Sequence, residues 1–226
     1  MGLISQLIDY VLHLEKYLPL LIQQFGFFTY VILFFVIFME TGFVVTPFLP
    51  GDSLIFAAAA TTALPGTPLH IGWLWLIFCL AAILGDTVNY WIGHAVGPRA
   101  FSGNVRFLKQ EYLQRTHVFF QKYGGKTIVL ARFVPIIRTF APFVAGVGEM
   151  SYGRFIVYNV IGGVAWVTLF SAGGYLLGNW APVKEHFSLI IIAIIIISVI
   201  PAIIEVWRGR GNIPVETVVS PKDFEG

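Results

Sequence analysis

Five ionisable side chains interrupt the apolar stretches of this chain: Glu40, Asp52, Asp86, Arg132 and Arg138. Placing one such group near the centre of a bilayer costs at least about 2.5–3.5 kcal/mol. Five unpaired ones would cost roughly 12–17 kcal/mol, comparable to a whole folding free energy. They must therefore face one another or a wet cavity, and three acids against two arginines suit that arrangement. One reading is a set of buried ion pairs that hold the protein together. Desolvation offsets most of the attraction in such pairs, so stability alone is a weak reason to keep them. The other reading is a polar site at membrane depth whose carboxylates exchange protons.

The arginines carry the sharper chemistry. Arg132 and Arg138 are six residues apart with Pro135 between them. On an unbroken helix that spacing leaves them about 240° apart, on different faces. A proline break lets both turn toward one place. Two forked, permanently charged guanidiniums converging in a dry pocket suit a phosphate group. Pro50-Gly51-Asp52-Ser53 reads as a helix start with Asp52 or Ser53 as its N-cap, and a helix start exposes N–H groups that attract anions. Capping alone is an equally good account of Asp52. Asp86, with Asn89 and Tyr90 in Gly-Asp-Thr-Val-Asn-Tyr-Trp-Ile-Gly (85–93), reads as the partner of an arginine or as a polar anchor at the interface.

The elements that must position these residues are membrane elements. Hydrophobic residues make up 57% of the 226 positions and charged ones 12%, about half the share of a soluble domain. Residues 3–22 place Leu3, Leu7, Val11, Leu14 and Leu18 at helical spacing, which predicts an amphipathic interfacial helix within 1–22. Residues 25–45 form the first long apolar run. The run Leu54–Leu64 has 11 residues, too few to cross ~30 Å of hydrocarbon. Residues 71–93 form a full span, with Trp73 and Trp75 at one end and Tyr90 and Trp91 at the other as an aromatic belt. Further spans are expected at 155–180 and 187–207. Gly162-Gly163 and Gly174–Gly178 read as small-residue helix contacts.

The segment 94–126 holds Arg99, Arg106, Lys109, Arg115, Lys122 and Lys126 against Glu111, which places it in the cytoplasm. Leu108, Tyr112, Phe119 and Tyr123 would form the apolar stripe of a surface helix within it. Arg208 and Arg210 flank the last span and also fall inside, provided that 128–148 enters and returns as a hairpin. The same counting makes 46–64 a hairpin from the outer face. The expected architecture is an all-α integral membrane protein. It has about four transmembrane helices, two oppositely oriented re-entrant hairpins as an inverted repeat, and a cytoplasmic tail at 208–226. Inverted repeats with broken helices are a known transporter design. The Pro50-Gly51 turn on one side and Pro135, Pro142 and Gly146 on the other are the weak trace of that symmetry.

Other classes fit less well. The net charge of +2, with its cations gathered in one loop, implies no nucleic acid. The single cysteine, Cys79, gives neither a disulfide framework nor a thiolate metal site. His13, His70, His94, His117 and His186 show no ligand spacing and read as solvated. No basic n-region opens the chain, so no cleavable signal peptide is expected. No metal or cofactor is expected, and no enzymatic activity, because no histidine base sits in a core run. A proton–cation antiporter using Glu40, Asp52 and Asp86 is a rival, but two fixed positive charges would repel its cargo. A homodimer is compatible with these features.

The segments METGFVVTPFLPGDSL (39–54), GDTVNYWIG (85–93), GGKTIVLARFVPIIRTFAPFVAGVGEMSY (124–152) and YNVIGG (158–163) make the resemblance specific. Across nearly the whole chain the protein resembles the bacterial DedA family, whose membrane domain is shared with eukaryotic lipid scramblases of the VTT type. The resemblance implies two opposed re-entrant hairpins within 23–207. It also implies Glu40 and Asp52 as essential acids and Arg132 and Arg138 as essential arginines. The implied function is transport of an anionic lipid in the bacterial cytoplasmic membrane, driven by the proton motive force. The implied cargo is undecaprenyl phosphate or a phospholipid; passive phospholipid scrambling is the nearest alternative. On this reading the arginines hold the phosphate, Glu40 and Asp52 couple it to protons, and all four share one chamber.

Overall fold

The computed structural model describes residues 14–43, 51–63, 66–97, 110–178 and 180, and every regular element among them is helical. Pro50, residues 1–13, residues 98–109 of the basic loop, the expected 187–207 span and the 208–226 tail lie outside the described residues. In chain order the helices are α1 (Leu14–Phe25), α2 (Phe28–Gly42), α3 (Gly51–Thr62) and α4 (Ile71–Val96). They continue with α5 (Gln110–Tyr123), α6 (Thr127–Ala131), α7 (Pro135–Val144) and α8 (Tyr152–Gly178), with a wide π-type turn at Ala145–Glu149.

These helices fall into two compact units. One is built from the described parts of 1–37, 48–81 and 165–199, the other from those of 38–47 and 82–164. In the first, α1 packs on α3 through a buried face that includes Leu18 and Ile22, while Leu20 and Phe25 stay exposed. The apolar run expected at 25–45 forms α2, and Gly26 at φ +50° closes α1 before it begins. α3 is buried along almost its whole length, from Gly51 to Thr61.

Two helices, α4 and α8, are long and apolar enough to cross a bilayer. Their outward faces are apolar as well. Leu76, Leu80 and Leu84 recur at four-residue spacing on α4, and Val157, Val160, Ile161, Leu169 and Leu176 are exposed on α8. A water-soluble helix of this length would place charge there. Hydrocarbon is the solvent that suits these faces.

The second unit holds a core of Ile128, Ala131, Ile137, Phe140, Phe143, Val144, Phe155 and their neighbours. Here the 128–148 region is two helices and a turn. Pro135 forces the residue before it away from helical geometry, and Val134 is extended at φ −121°, ψ 104°. Val134 O nonetheless accepts the first bond of α7, from Arg138 N at 2.8 Å. The expected surface helix is present as α5, but its stripe is different. Phe120 and Thr116 are the buried residues, Phe119 is half-buried and Tyr123 is 37% exposed. Leu108 lies outside the described residues. Phe119 packs against the core of the unit beside the buried Phe120, and α5 lies on α6 and α7.

Candidate functional site

Four of the five membrane-depth charges meet in the second unit as two ion pairs. Arg132 closes α6, and its Nη2 donates to Asp86 Oδ2 at 2.5 Å and to Asn159 Oδ1 at 2.6 Å. Arg138 Nη2 donates to Glu40 Oε1, joining the middle of α7 to the last turn of α2. The side chains of Arg132 and Asp86 are each 6% exposed, that of Glu40 2% and that of Arg138 16%. The Arg138 charge also acts on Asp86, so the two pairs belong to one electrostatic cluster. Two cations and two carboxylates balance, as burial demands.

Small residues make the room for this cluster. A Cβ on Gly162 would stand 3.2 Å from Arg132 Nε, and one on Gly163 would stand 3.4 Å from Arg132 Nη2. The Gly162-Gly163 step is therefore the bed in which Arg132 lies, in addition to the packing contact expected from sequence. A Cβ on Gly85 would clash with Thr41, so α4 meets the end of α2 backbone to backbone. Glycines 93 and 146 do the same between α4 and the Phe143–Gly146 stretch. In α7 the buried Pro142 has no N–H to give, so the carbonyl of Arg138 lacks its usual helical donor.

Asn89, fully buried, donates from Nδ2 to Thr139 O at 2.9 Å and to Thr41 O at 3.3 Å. Tyr90 is a core residue rather than part of an interfacial belt. Its hydroxyl donates to Met150 O at 3.0 Å and its ring stacks on Phe155 with centroids 4.6 Å apart. Trp91 and Trp73 are exposed, as a belt requires, and Trp75 Nε1 donates to Thr168 Oγ1 at 2.9 Å.

Asp52 belongs to the first unit, where its Oδ1 accepts from Trp166 Nε1 at 2.9 Å. Among the described residues this helix begins at Gly51, with Asp52 and the buried Ser53 in its first turn. A carboxylate there still favours the positive end of the helix dipole. The acid that directly holds Arg132 is Asp86, which settles its reading as an arginine's partner.

Two features escaped the sequence reading. Asn159 is fully buried, and its Nδ2 donates to Ile83 O at 3.0 Å while its oxygen takes Arg132. A lone amide in the apolar run of α8 was the available signal. His117 is also not a solvated residue. Its Nδ1 pairs with Glu149 Oε1 and its Nε2 lies 3.0 Å from Gln121 Nε2. Among the described residues no three His, Cys, Asp or Glu side chains converge as a metal site. The cluster thus presents two guanidiniums and two carboxylates, paired one to one.

The VTT domain family matches residues 49–176, more than half of the chain. Protein DedA of Escherichia coli K12 is 49% identical over 211 residues, covering 93% of this chain and 96% of that protein. The membrane protein Rv0364 of Mycobacterium tuberculosis H37Rv is 44% identical over 183 residues, 79% of this chain and 80% of its own. The inner membrane protein YqjA of E. coli K12 is 34% identical over 153 residues, 66% and 68% of the two chains. No solved structure matches the chain. With a VTT domain across its middle and near half-identity to DedA over nearly its full length, this chain is a membrane protein of the DedA family.

Proposed function

We propose that this protein moves an anionic lipid across the bacterial cytoplasmic membrane in exchange with protons, and that it is not an enzyme. Undecaprenyl phosphate is the cargo that the reading favours. The observation that carries it is the pair of guanidiniums, Arg132 buried and Arg138 half-buried, each held by a carboxylate within one unit. A phosphate competes with Asp86 and Glu40 for the same N–H donors. Protonation of either carboxyl weakens its hold and frees a forked donor for the phosphate; loss of that proton lets the carboxylate displace it again. The head group thus crosses on fixed positive charge while its polyprenyl tail remains in the bilayer.

The topology that goes with this reading has about four spans and two hairpins entering from opposite faces, with the α6–α7 region as the inner one. The inner-membrane name of YqjA supports the location. Asp52 enters as a second proton-accepting acid, at the start of the other broken segment.

The test is flipping of the lipid in vesicles reconstituted with purified protein. Arg132→Gln and Arg138→Gln are expected to abolish it while the protein stays monodisperse, and an imposed pH gradient is expected to bias its direction. Full-rate flipping by either variant would sink the phosphate role of that arginine. Flipping indifferent to the gradient would mark a passive scramblase, and proton-linked cation flux without lipid movement an antiporter.

A further inference from the structure

The segment 85–93 places Gly85, Asn89 and Gly93 at intervals of four, on one face of α4. Both glycines are sites where a neighbouring backbone leaves no space for a Cβ: the end of α2 at Gly85, and Phe143 at Gly93. Asn89 lies midway between these two close approaches and has no exposed surface. Its two donated bonds go to Thr41 O and Thr139 O. Thr41 directly follows Glu40, and Thr139 directly follows Arg138. One amide therefore ties together the two backbone segments that carry the two halves of an ion pair.

The acceptor side of the same amide is not used. Asn89 Oδ1 is buried and, among the described residues, has no hydrogen-bond partner. A buried acceptor left unmade is a penalty that packing by itself would remove, since an apolar residue of the same size carries none. What the residue gains is confined to its two N–H bonds, and both land beside the Glu40–Arg138 pair. The orientation of the amide is fixed by those bonds too, because Nδ2 faces two carbonyl oxygens that only a donor can satisfy.

We infer that Asn89 is a positioning residue: it sets the separation of Glu40 and Arg138, and hence how readily that pair opens. Asp86 and Arg132 are the other charged groups of the cluster. The link to transport rests on the function proposed above; the geometric claim does not.

The experiment measures the pair and the transport separately. In purified protein, the carboxylic acid band of Glu40 is followed by infrared spectroscopy against pH and identified by its loss in Glu40→Gln. Asn89→Leu, of similar size but without donors, is expected to move the midpoint of that band by about one pH unit, a tenfold change. Asn89→Gln, which keeps both donors on a longer arm, is expected to move it by less than half as much. In vesicles containing undecaprenyl phosphate, Asn89→Leu is expected to change the pH profile of flipping. An unchanged Glu40 midpoint in folded Asn89→Leu overturns the inference. If that variant does not fold, Asn89→Ala takes its place, and an unchanged Glu40 midpoint there overturns the inference equally. A shifted midpoint in protein that moves no lipid leaves the positioning role standing and removes the transport reading instead.

Discussion

Arg132 lies against Gly162 so closely that a Cβ on the glycine would come within 3.2 Å of both Arg132 Nε and Val129 Cα. The first contact is with a flexible side chain, but the second is with backbone, which yields less easily. Gly162→Ala is therefore expected to destabilise by about 1–3 kcal/mol through overpacking. Gly162→Leu is expected to expel the guanidinium from Asn159 and stop lipid flipping. Thermal unfolding in detergent and flipping in vesicles check the two steps. Wild-type flipping by Gly162→Leu would show that Arg132 works from a different position.

The Arg132–Asp86 pair makes a second prediction because both partners are buried. Asp86→Ala strands the guanidinium without its counter-charge and is expected to cost about 3–5 kcal/mol. Replacing both, as in Asp86→Ala with Arg132→Met, removes the stranded charge and is expected to restore most of that loss while leaving transport dead. Denaturant unfolding of the single and double variants supplies the comparison. If the double variant is no more stable than Asp86→Ala, the pair is not the source of the cost.

The residues of this cluster were legible in the sequence because charge inside an apolar run is costly wherever it occurs. Glu40, Asp86, Arg132 and Arg138 declared themselves by type alone. Their pairing did not, because it depends on how each helix is turned about its axis. Glycines at 42, 85, 93 and 146 decide that by setting which backbones can touch. Asn159 went unread since an uncharged amide in a span raises little alarm, although it is Arg132's second acceptor. Tyr90 was assigned to a belt because it neighbours Trp91. The turn that brings Met150 O to its hydroxyl lies 60 residues away, beyond any local pattern. The proline break at Pro135 was visible, and the extended Val134 before it is what such a proline imposes.

Asp52 and Trp166 form a separate polar contact in the first unit, 114 residues apart in the chain. Trp166 is almost completely buried, so its indole nitrogen and its ring make distinguishable contributions. Trp166→Phe removes the donor and keeps most of the packing; its expected cost is about 1.5–3 kcal/mol, the range for a hydrogen bond to a charged group. Trp166→Ala adds a cavity and is expected to cost about 3–5 kcal/mol or more. Unfolding of both variants in an Asp52→Ala background isolates the bond. If Trp166→Phe costs as much there as in the parent protein, the contact with Asp52 contributes nothing.

His117 and Glu149 join α5 to the far end of the turn that follows α7. Their side chains are 12% and 16% exposed, so water still screens the pair and its contribution to global stability is small. Its effect should instead be local. α5 is held to the unit by the buried Phe120 and Thr116 and by Thr127 Oγ1, which donates to Phe119 O at 3.2 Å. Losing the His117 link lowers the cost of opening this helix without unfolding the core. His117→Ala is expected to speed amide hydrogen exchange in α5 about fivefold, the equivalent of about 1 kcal/mol, while exchange in α4 and α8 stays as in the parent. Glu149→Gln tests the same link from the other side. If either substitution speeds exchange across all helices alike, the pair contributes to the stability of the whole unit instead of fastening α5 to the turn.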